Sequence, residues 1–449
     1  MPHRALRLIV GPFEAFFRTE ALGGAVVALA ALVALALANS PWSEEYEALW
    51  LTRVRIGAPT FGLEKQLVLW VNDLLMAIFF LLVGLEVKRE VVSGELDTPR
   101  KAALPAIAAT GGMVVPALLF LLVTRGTPAA SGWGVPMATD IAFALGLLRM
   151  LGGRVPAALV VFLTAIAIVD DLGAIAVIAV FYAGELSPTA HVVAAGCTAG
   201  LLLMNRLGVR SPSWYVLAGI PLWVAVLKSG IHATLAGVVV GLCVPGRPRY
   251  SRDELVAQAR VLIDAVERGE DEQAAEDAVA ALEHRLEECE SPARRLEHSL
   301  HPFVAWVVVP LFALANAGVD LKDIGLSDLS SRATLGIAVG LVAGKQLGIL
   351  GATWLAVKTG LGALPSGVTW RHVHGASALA GIGFTMSLFV AALAYEEGTP
   401  LHSQAKLGIL LASVCAGLLG LLLLRGAPPA PATGAPPSAP ASPAAQAQG

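Results

Sequence analysis

Residues 162–182 read FLTAIAIVDDLGAIAVIAVFY, an apolar run whose only charged residues are two adjacent aspartates, Asp170 and Asp171. A helix crosses the hydrocarbon layer of a bilayer in roughly 20 apolar residues, and this run has that length. An ionised side chain at mid-membrane costs about 2.5–3.5 kcal/mol even on a lenient insertion scale, so it needs a partner or a water-filled site. The pair therefore marks both a membrane span and a place within it where chemistry happens. Adjacent helical residues point about 100° apart, so one aspartate can meet a neighbouring helix while the other faces a cavity. Two carboxylates this close also perturb one another's proton affinity, so they titrate as a coupled pair.

The rest of the chain is of the same kind. Its 449 residues carry 31 Lys+Arg against 34 Asp+Glu, a net charge of −3, and only 14% are charged while 56% are hydrophobic. With a mean hydropathy of +0.71, a chain of this size cannot cover its apolar surface as a soluble protein must. The composition excludes a soluble enzyme and a disordered scaffold, and the near-neutral, dispersed charge excludes a nucleic-acid binder. The four cysteines, Cys197, Cys243, Cys289 and Cys415, lie far apart without metal-ligand spacing, so they read as small apolar residues.

The expected fold is an all-α polytopic membrane protein. Apolar runs place spans near 22–39, 67–85, 103–123, 134–150, 156–182, 190–204, 213–227, 231–245, 302–318, 333–357, 373–395 and 406–424, about twelve transmembrane helices. Arg4, Arg7 and Arg18 precede the first run, which lacks a small-residue cleavage site and reads as a retained span. The division between 213–227 and 231–245 is the weakest. With the N-terminus in the cytoplasm, the inner segments hold 22 of the basic residues and the outer ones eight, Lys345 lying within a span. That bias predicts both termini in the cytoplasm and an even span number.

The chain divides into a membrane domain over 1–425, a charged cytoplasmic loop over 247–300 inserted between the eighth and ninth spans, and a Pro/Ala-rich tail over 426–449. Apolar residues at helical spacing predict two amphipathic helices in the loop, joined near Gly269, a hairpin over 253–290. The tail has no apolar run and is expected to be disordered.

Two other places carry polar groups at membrane depth. Lys345, in LGIAVGLVAGKQLGILGATWLAV, is the one basic residue placed mid-span, and facing an intramembrane aspartate it would cancel an isolated charge. Thr139 and Asp140 sit in PMATDIAFALG after Gly132, Gly134 and Pro136, and HGASALAGIGFTMSLF carries Gly381, Gly383 and Thr385 in a second run. Such interruptions mark broken helices, tolerated where backbone lines a cavity. The exposed helix ends carry partial charges that an aspartate or a lysine would neutralise.

At these residues the sequence closely resembles the bacterial NhaA sodium/proton antiporters. The matching segments run in family order: NDLLMAIFFLLVGLEVKRE (72–90), ATDIAFALG (138–146), FLTAIAIVDDLGAIAV (162–177), LKSGIHATLAGV (227–238), RLEHSLHPFVAWVVVPLFALANAG (295–318), GKQLGI (344–349) and GIGFTMSLF (381–389). The resemblance implies inverted repeats and two discontinuous crossing helices, here 134–150 and 373–395. It implies that Asp171 is the principal cation ligand and proton carrier. Asp170 would be its neighbour, paired with Lys345, and Thr139 and Asp140 would line the ion path at the crossing. Glu86, Glu90, Glu297, His298 and His301 match a cytoplasmic cluster tied to pH response, and His232 matches a further pH-linked position. The residues alone leave open whether Glu86, Lys88, Arg89 and Glu90 are interface anchors, and whether His298 and His301 sense pH or cap a helix start.

The implied activity is secondary antiport, not enzymatic catalysis: cytoplasmic Na+, or Li+, exchanged for external H+. The resemblance makes it electrogenic, with two H+ per ion, active at alkaline pH, and serving sodium and pH homeostasis in the bacterial inner membrane. It implies no cofactor, and as partners the transported ions, membrane lipid and a second copy of the chain paired through an outer hairpin before Val68. Two rival readings are an intramembrane aspartyl protease, which would want aspartates on facing helices, and a passive cation channel. The charged hairpin is longer than the family's usual loop, so the family's pH set-point is not carried over.

Overall fold

A computed structural model describes residues 22–57, 62–94, 96–184, 186–249, 256, 260, 290–322 and 325–429. Arg4, Arg7, Arg18, Cys289, both helices expected in the 253–290 hairpin and the tail from residue 430 lie outside the described residues.

The fold is mostly helical. Helix α1 (Leu22–Ala38) turns by 114° into α2 (Ser43–Leu51). A hairpin of Arg53–Ile56 and Leu63–Gln66 follows, antiparallel with Arg53 opposite Gln66. Then come α3 (Leu67–Val92), α4 (Pro99–Thr124), α5 (Ile141–Met150) and α6 (Ala157–Phe181). Next are α7 (Pro188–Arg206), α8 (Pro212–Ser229) and α9 (Thr234–Cys243). The chain ends with α10 (Pro292–Asn316), α11 (Arg332–Lys358), the pair α12 (Trp370–Leu379) and α13 (Phe384–Ala394) bent by 47°, and α14 (Pro400–Arg425).

The sequence sets these boundaries. Pro99, Pro188, Pro212, Pro292 and Pro400 each open a helix, where the missing N–H costs nothing and φ is already helical. The side chains of Ser291, Ser331, Thr369 and Thr399 accept from the first free N–H groups of the helices they precede. Gly230, at φ 86°, ends α8 in the left-handed conformation that glycine adopts without penalty. Wide π-type turns at Val71–Leu75, Val304–Val308 and Gly340–Gly344 interrupt the long helices α3, α10 and α11, and such turns recur at functional positions.

Packing relies on small residues, which let membrane helices approach closely. Gly111 on α4 and Gly348 on α11 face each other so tightly that a Cβ on either would meet the other's carbonyl. Gly84, Gly237 and Gly241 do the same where α3 crosses α9. The best-buried surface belongs to α3, α6, α12 and α13, whereas α7 turns most of its side chains outward.

Each of the twelve expected apolar runs is helical along most of its length. Among the described residues, however, six helices are long and apolar enough to cross a membrane, or eight if each bent pair is one span. The difference has physical causes. Breaks at Thr139 and Gly230 leave α5 and α9 only ten residues each, and α7 and α8, though 19 and 18 residues long, are slightly less apolar.

Candidate functional site

Two interrupted stretches meet in the interior. Ala138 and Asp140 are extended, with ψ of 145° and 97°, so residues 138–140 run as a short strand-like link past the break at residues 380–383. The Asp140 N–H donates to Ile382 O at 2.7 Å. The Asp140 carboxylate then serves two helix starts at once. Oδ1 accepts from Phe143 N–H at 3.1 Å, capping α5, and Oδ2 accepts from the Thr385 N–H at 3.1 Å and its hydroxyl at 2.5 Å, at the start of α13. Both helix N-termini direct partial positive charge at one carboxylate. That explains why an acid is placed here at membrane depth.

The second group lies on α6. Asp170, Asp171, Thr139 and Lys345 are all at most 2% exposed. Lys345 Nζ donates to Asp170 Oδ2 at 2.5 Å, and the Thr139 hydroxyl donates to the same oxygen at 2.8 Å. Thr139 also reaches Ala380 O at 2.9 Å. A hydroxyl has one proton, so Thr139 divides it between the α6 acid and the broken-helix carbonyl. Lys345 follows directly on the π-type turn of α11. A buried lysine and aspartate each remove the other's isolated charge, as the apolar surroundings require.

Asp171 is arranged differently. Its Oδ1 is buried with no hydrogen-bond partner among the described residues, as is Asp170 Oδ1. It lies within electrostatic reach of Asp170, Glu86, Asp140 and Lys345. Burying an unpaired polar group is costly, so such an oxygen beside an engaged acid is the feature of the interior that most needs a further partner.

The other expected positions fall into separate places. Arg89 pairs with Glu297 on α10 and, at 3.0 Å, with Glu90, and Glu86 lies within electrostatic reach of all three. These acids are therefore joined across α3 and α10. Lys88 instead donates to Leu242 O at 2.6 Å and to Val244 O, closing the end of α9, a positive group on a helix C-terminus. His298 is 62% exposed and bonds Arg294 O of its own helix at 3.0 Å. His301 is half-buried and near His298, Arg149 and Arg89. His232 stands apart from this cluster. Its ring meets Phe389 edge-on at 5.9 Å and lines a small apolar cavity with Phe80, Ile175 and Ile178.

Three participants were not singled out from sequence as site residues. Thr385 gives Asp140 two hydrogen bonds; a polar residue just after Gly381 and Gly383 at the head of an apolar run is the signal for a helix start. Tyr182 and Tyr395 hold the turn before the break: the Tyr182 hydroxyl donates to Ser131 O at 3.0 Å and accepts from Gly134 N–H, and the Tyr395 hydroxyl donates to Ala129 O at 2.7 Å. Nothing local in the sequence announces those tyrosines.

Comparison with known proteins bears on the same segments. Residues 14–424 match the profile of a family described as Na+/H+ antiporter 1. The chain is 50% identical over 421 residues to a Na(+)/H(+) antiporter NhaA of Anaeromyxobacter sp. (strain Fw109-5), covering 94% of this chain and 92% of that protein. It is also 50% identical over 425 residues to the antiporter NhaA of Oleidesulfovibrio alaskensis, covering 93% and 94%. To that of Rhodospirillum rubrum it is 47% identical over 423 residues, covering 93% and 98%.

Proposed function

Because the chain belongs to the Na+/H+ antiporter 1 family, whose members are secondary transporters rather than enzymes, we propose that it exchanges cytoplasmic Na+ or Li+ for external H+ at Asp171 and Asp170. The observation that carries this reading is the buried, unpartnered Oδ1 of Asp171 beside an Asp170 already held by Lys345 and Thr139. Hard alkali cations prefer carboxylate, hydroxyl and carbonyl oxygen, and Asp171, Asp170 and Thr139 supply the first two kinds.

Exchange then follows from competition. Asp171 holds a proton or the cation, never both. The arriving cation draws Asp170 away from Lys345, and when the cation leaves, Lys345 reclaims Asp170. Asp140 stays fixed on its two helix starts, keeping the crossing assembled while the site opens to one side and then the other. Asp171 and the Lys345–Asp170 pair each surrender a proton per ion bound, giving two H+ for each Na+ and net charge movement. The Arg89, Glu90, Glu297 and Glu86 cluster, with His298 and His301 beside it, sets the activating pH on the cytoplasmic side, and His232, packed against Phe389 of α13, tunes it.

The architecture belongs to the same proposal. All twelve apolar runs cross or half-cross the bilayer as inverted repeats, α5 and α12–α13 being the crossing pair, with both termini in the cytoplasm of the bacterial inner membrane. Residues 247–300 form a cytoplasmic insert and 426–449 a tail. The hairpin at 53–66 pairs two copies, with lipid as the surrounding partner and no cofactor. Antiport membership removes the protease reading, and sodium-gated proton flux separates exchange from a channel. The test is dequenching of a pH dye in inside-out vesicles on adding sodium, scanned across pH. Asp171→Asn should abolish the response; full sodium-dependent proton movement by that variant refutes the ligand assignment.

A further inference from the structure

Lys345 is followed by Gln346, and the two side chains leave α11 about 100° apart. Lys345 reaches Asp170 on α6, while Gln346 Oε1 meets His374 Nε2 on α12 at 3.0 Å. Gln346 Nε2 donates to Val342 O at 2.6 Å, so the amide's orientation is set and its oxygen is the group turned to His374. An amide oxygen only accepts, so the facing imidazole nitrogen carries the hydrogen. Both side chains are half-buried, where a hydrogen bond is shielded from competing water. On the same helix as His374, the end of α12 leads directly to Ala380 O, which Thr139 bonds.

The turn Gly340–Gly344 immediately before Lys345 is a wide π-type turn, with no side chain beyond Cα at either end. Such turns recur at functional positions, and this one packs Gly340 against Pro136 and Gly344 against Pro116. Beyond the turn, Gly348 holds α11 against Gly111 of α4 on one face, and the Gln346–His374 bond ties it to α12 on another. We propose that His374 is a positioning residue: its hydrogen bond to Gln346 sets α11 against the broken helix α12 and thereby aims Lys345 at Asp170, fixing how strongly lysine competes with the transported cation. The proposal rests on the competition mechanism above and adds the residue that tunes its balance.

The direction of the effect follows. Loosening Lys345 weakens its hold on Asp170, so sodium displaces it at lower concentration. His374→Ala should lower the apparent KM for Na+ by about three- to tenfold, the scale of one hydrogen bond, with a smaller change in maximal rate. His374→Gln offers an amide N–H at the position of Nε2 and should restore the wild-type KM. Gln346→Met should act like His374→Ala, and the double variant should be no further displaced than either single one. Both quantities come from sodium-titrated dye dequenching in vesicles, with purified-protein melting to confirm that each variant is folded. A wild-type KM, or a raised one, in folded His374→Ala overturns the proposal, as does failure of His374→Gln to restore it. These results are distinguishable from failure of the antiport reading, which would show as no sodium response in the wild type and would take this proposal with it.

Discussion

At Asp170 the governing fact is that a lysine with 0% exposure stands against a carboxylate with none. Removing one member leaves the other charged and unpaired in an apolar interior, at a cost of about 3–5 kcal/mol, whereas replacing both with neutral groups of similar volume is often close to neutral. Lys345→Met alone should therefore lower the melting temperature of the purified protein sharply. Lys345→Met with Asp170→Asn should regain most of it while transporting nothing; a double variant as unstable as the single one would show that the pair is not what stabilises these helices. Thr385→Val is a milder case. It removes the hydroxyl from Asp140 but keeps the backbone N–H, and should cost about 1–3 kcal/mol, read from the same melts. The acids, the lysine and Thr139 were legible in the sequence because charge is expensive at membrane depth. Their partners were not: Thr139 bonds Ala380 across 241 residues and Asp140 bonds Thr385 across 245, and hydropathy carries no information about which runs meet.

Among the helices, the contact of α4 with α11 decides whether Lys345 arrives at the right depth. Gly348 lies three residues beyond Lys345, and a Cβ there would meet the Gly111 backbone, which cannot swing aside as a flexible side chain could. Gly348→Val should push the helices apart and reduce both folded yield and exchange, and Gly348→Ala should do so less; a fully active Gly348→Val would mean that this contact is not close in the membrane. At the end of α13, Tyr395 donates to Ala129 O and its ring fills the space beside Gly132. Tyr395→Phe keeps the ring and loses the bond, so it should destabilise by about 1–3 kcal/mol through the orphaned carbonyl. An unchanged melt would assign the contact to packing alone. The breaks themselves were readable, since Gly381, Gly383 and Pro136 stand where an uninterrupted span would avoid them. The lengths were not. Thr139 and Gly230 cut α5 and α9 to ten residues, and a hydropathy window counts apolar residues on both sides of a break as one run.

For the whole molecule, the distribution of charge and the proposed stoichiometry lead to a measurable field effect. If two protons enter for each Na+ that leaves, every cycle carries one net positive charge inward, toward the side where 22 of the 31 basic residues are expected to lie. A charge crossing the membrane is worth about 2.3 kcal/mol per 100 mV, which is ample to drive a monovalent ion against a tenfold gradient costing about 1.4 kcal/mol. Reconstituted protein should therefore extrude sodium faster when a valinomycin-set potassium gradient makes the cytoplasmic side negative, and slower when the sign is reversed. On the proposed mechanism the charge comes from two protonatable units, Asp171 and the Lys345–Asp170 pair, each giving up one proton for one incoming cation. An exchange rate indifferent to the imposed potential would mean that one unit keeps its proton throughout, and since Asp170 is the acid already held by Lys345 and Thr139, the Lys345–Asp170 pair would then be a structural strut rather than a proton carrier.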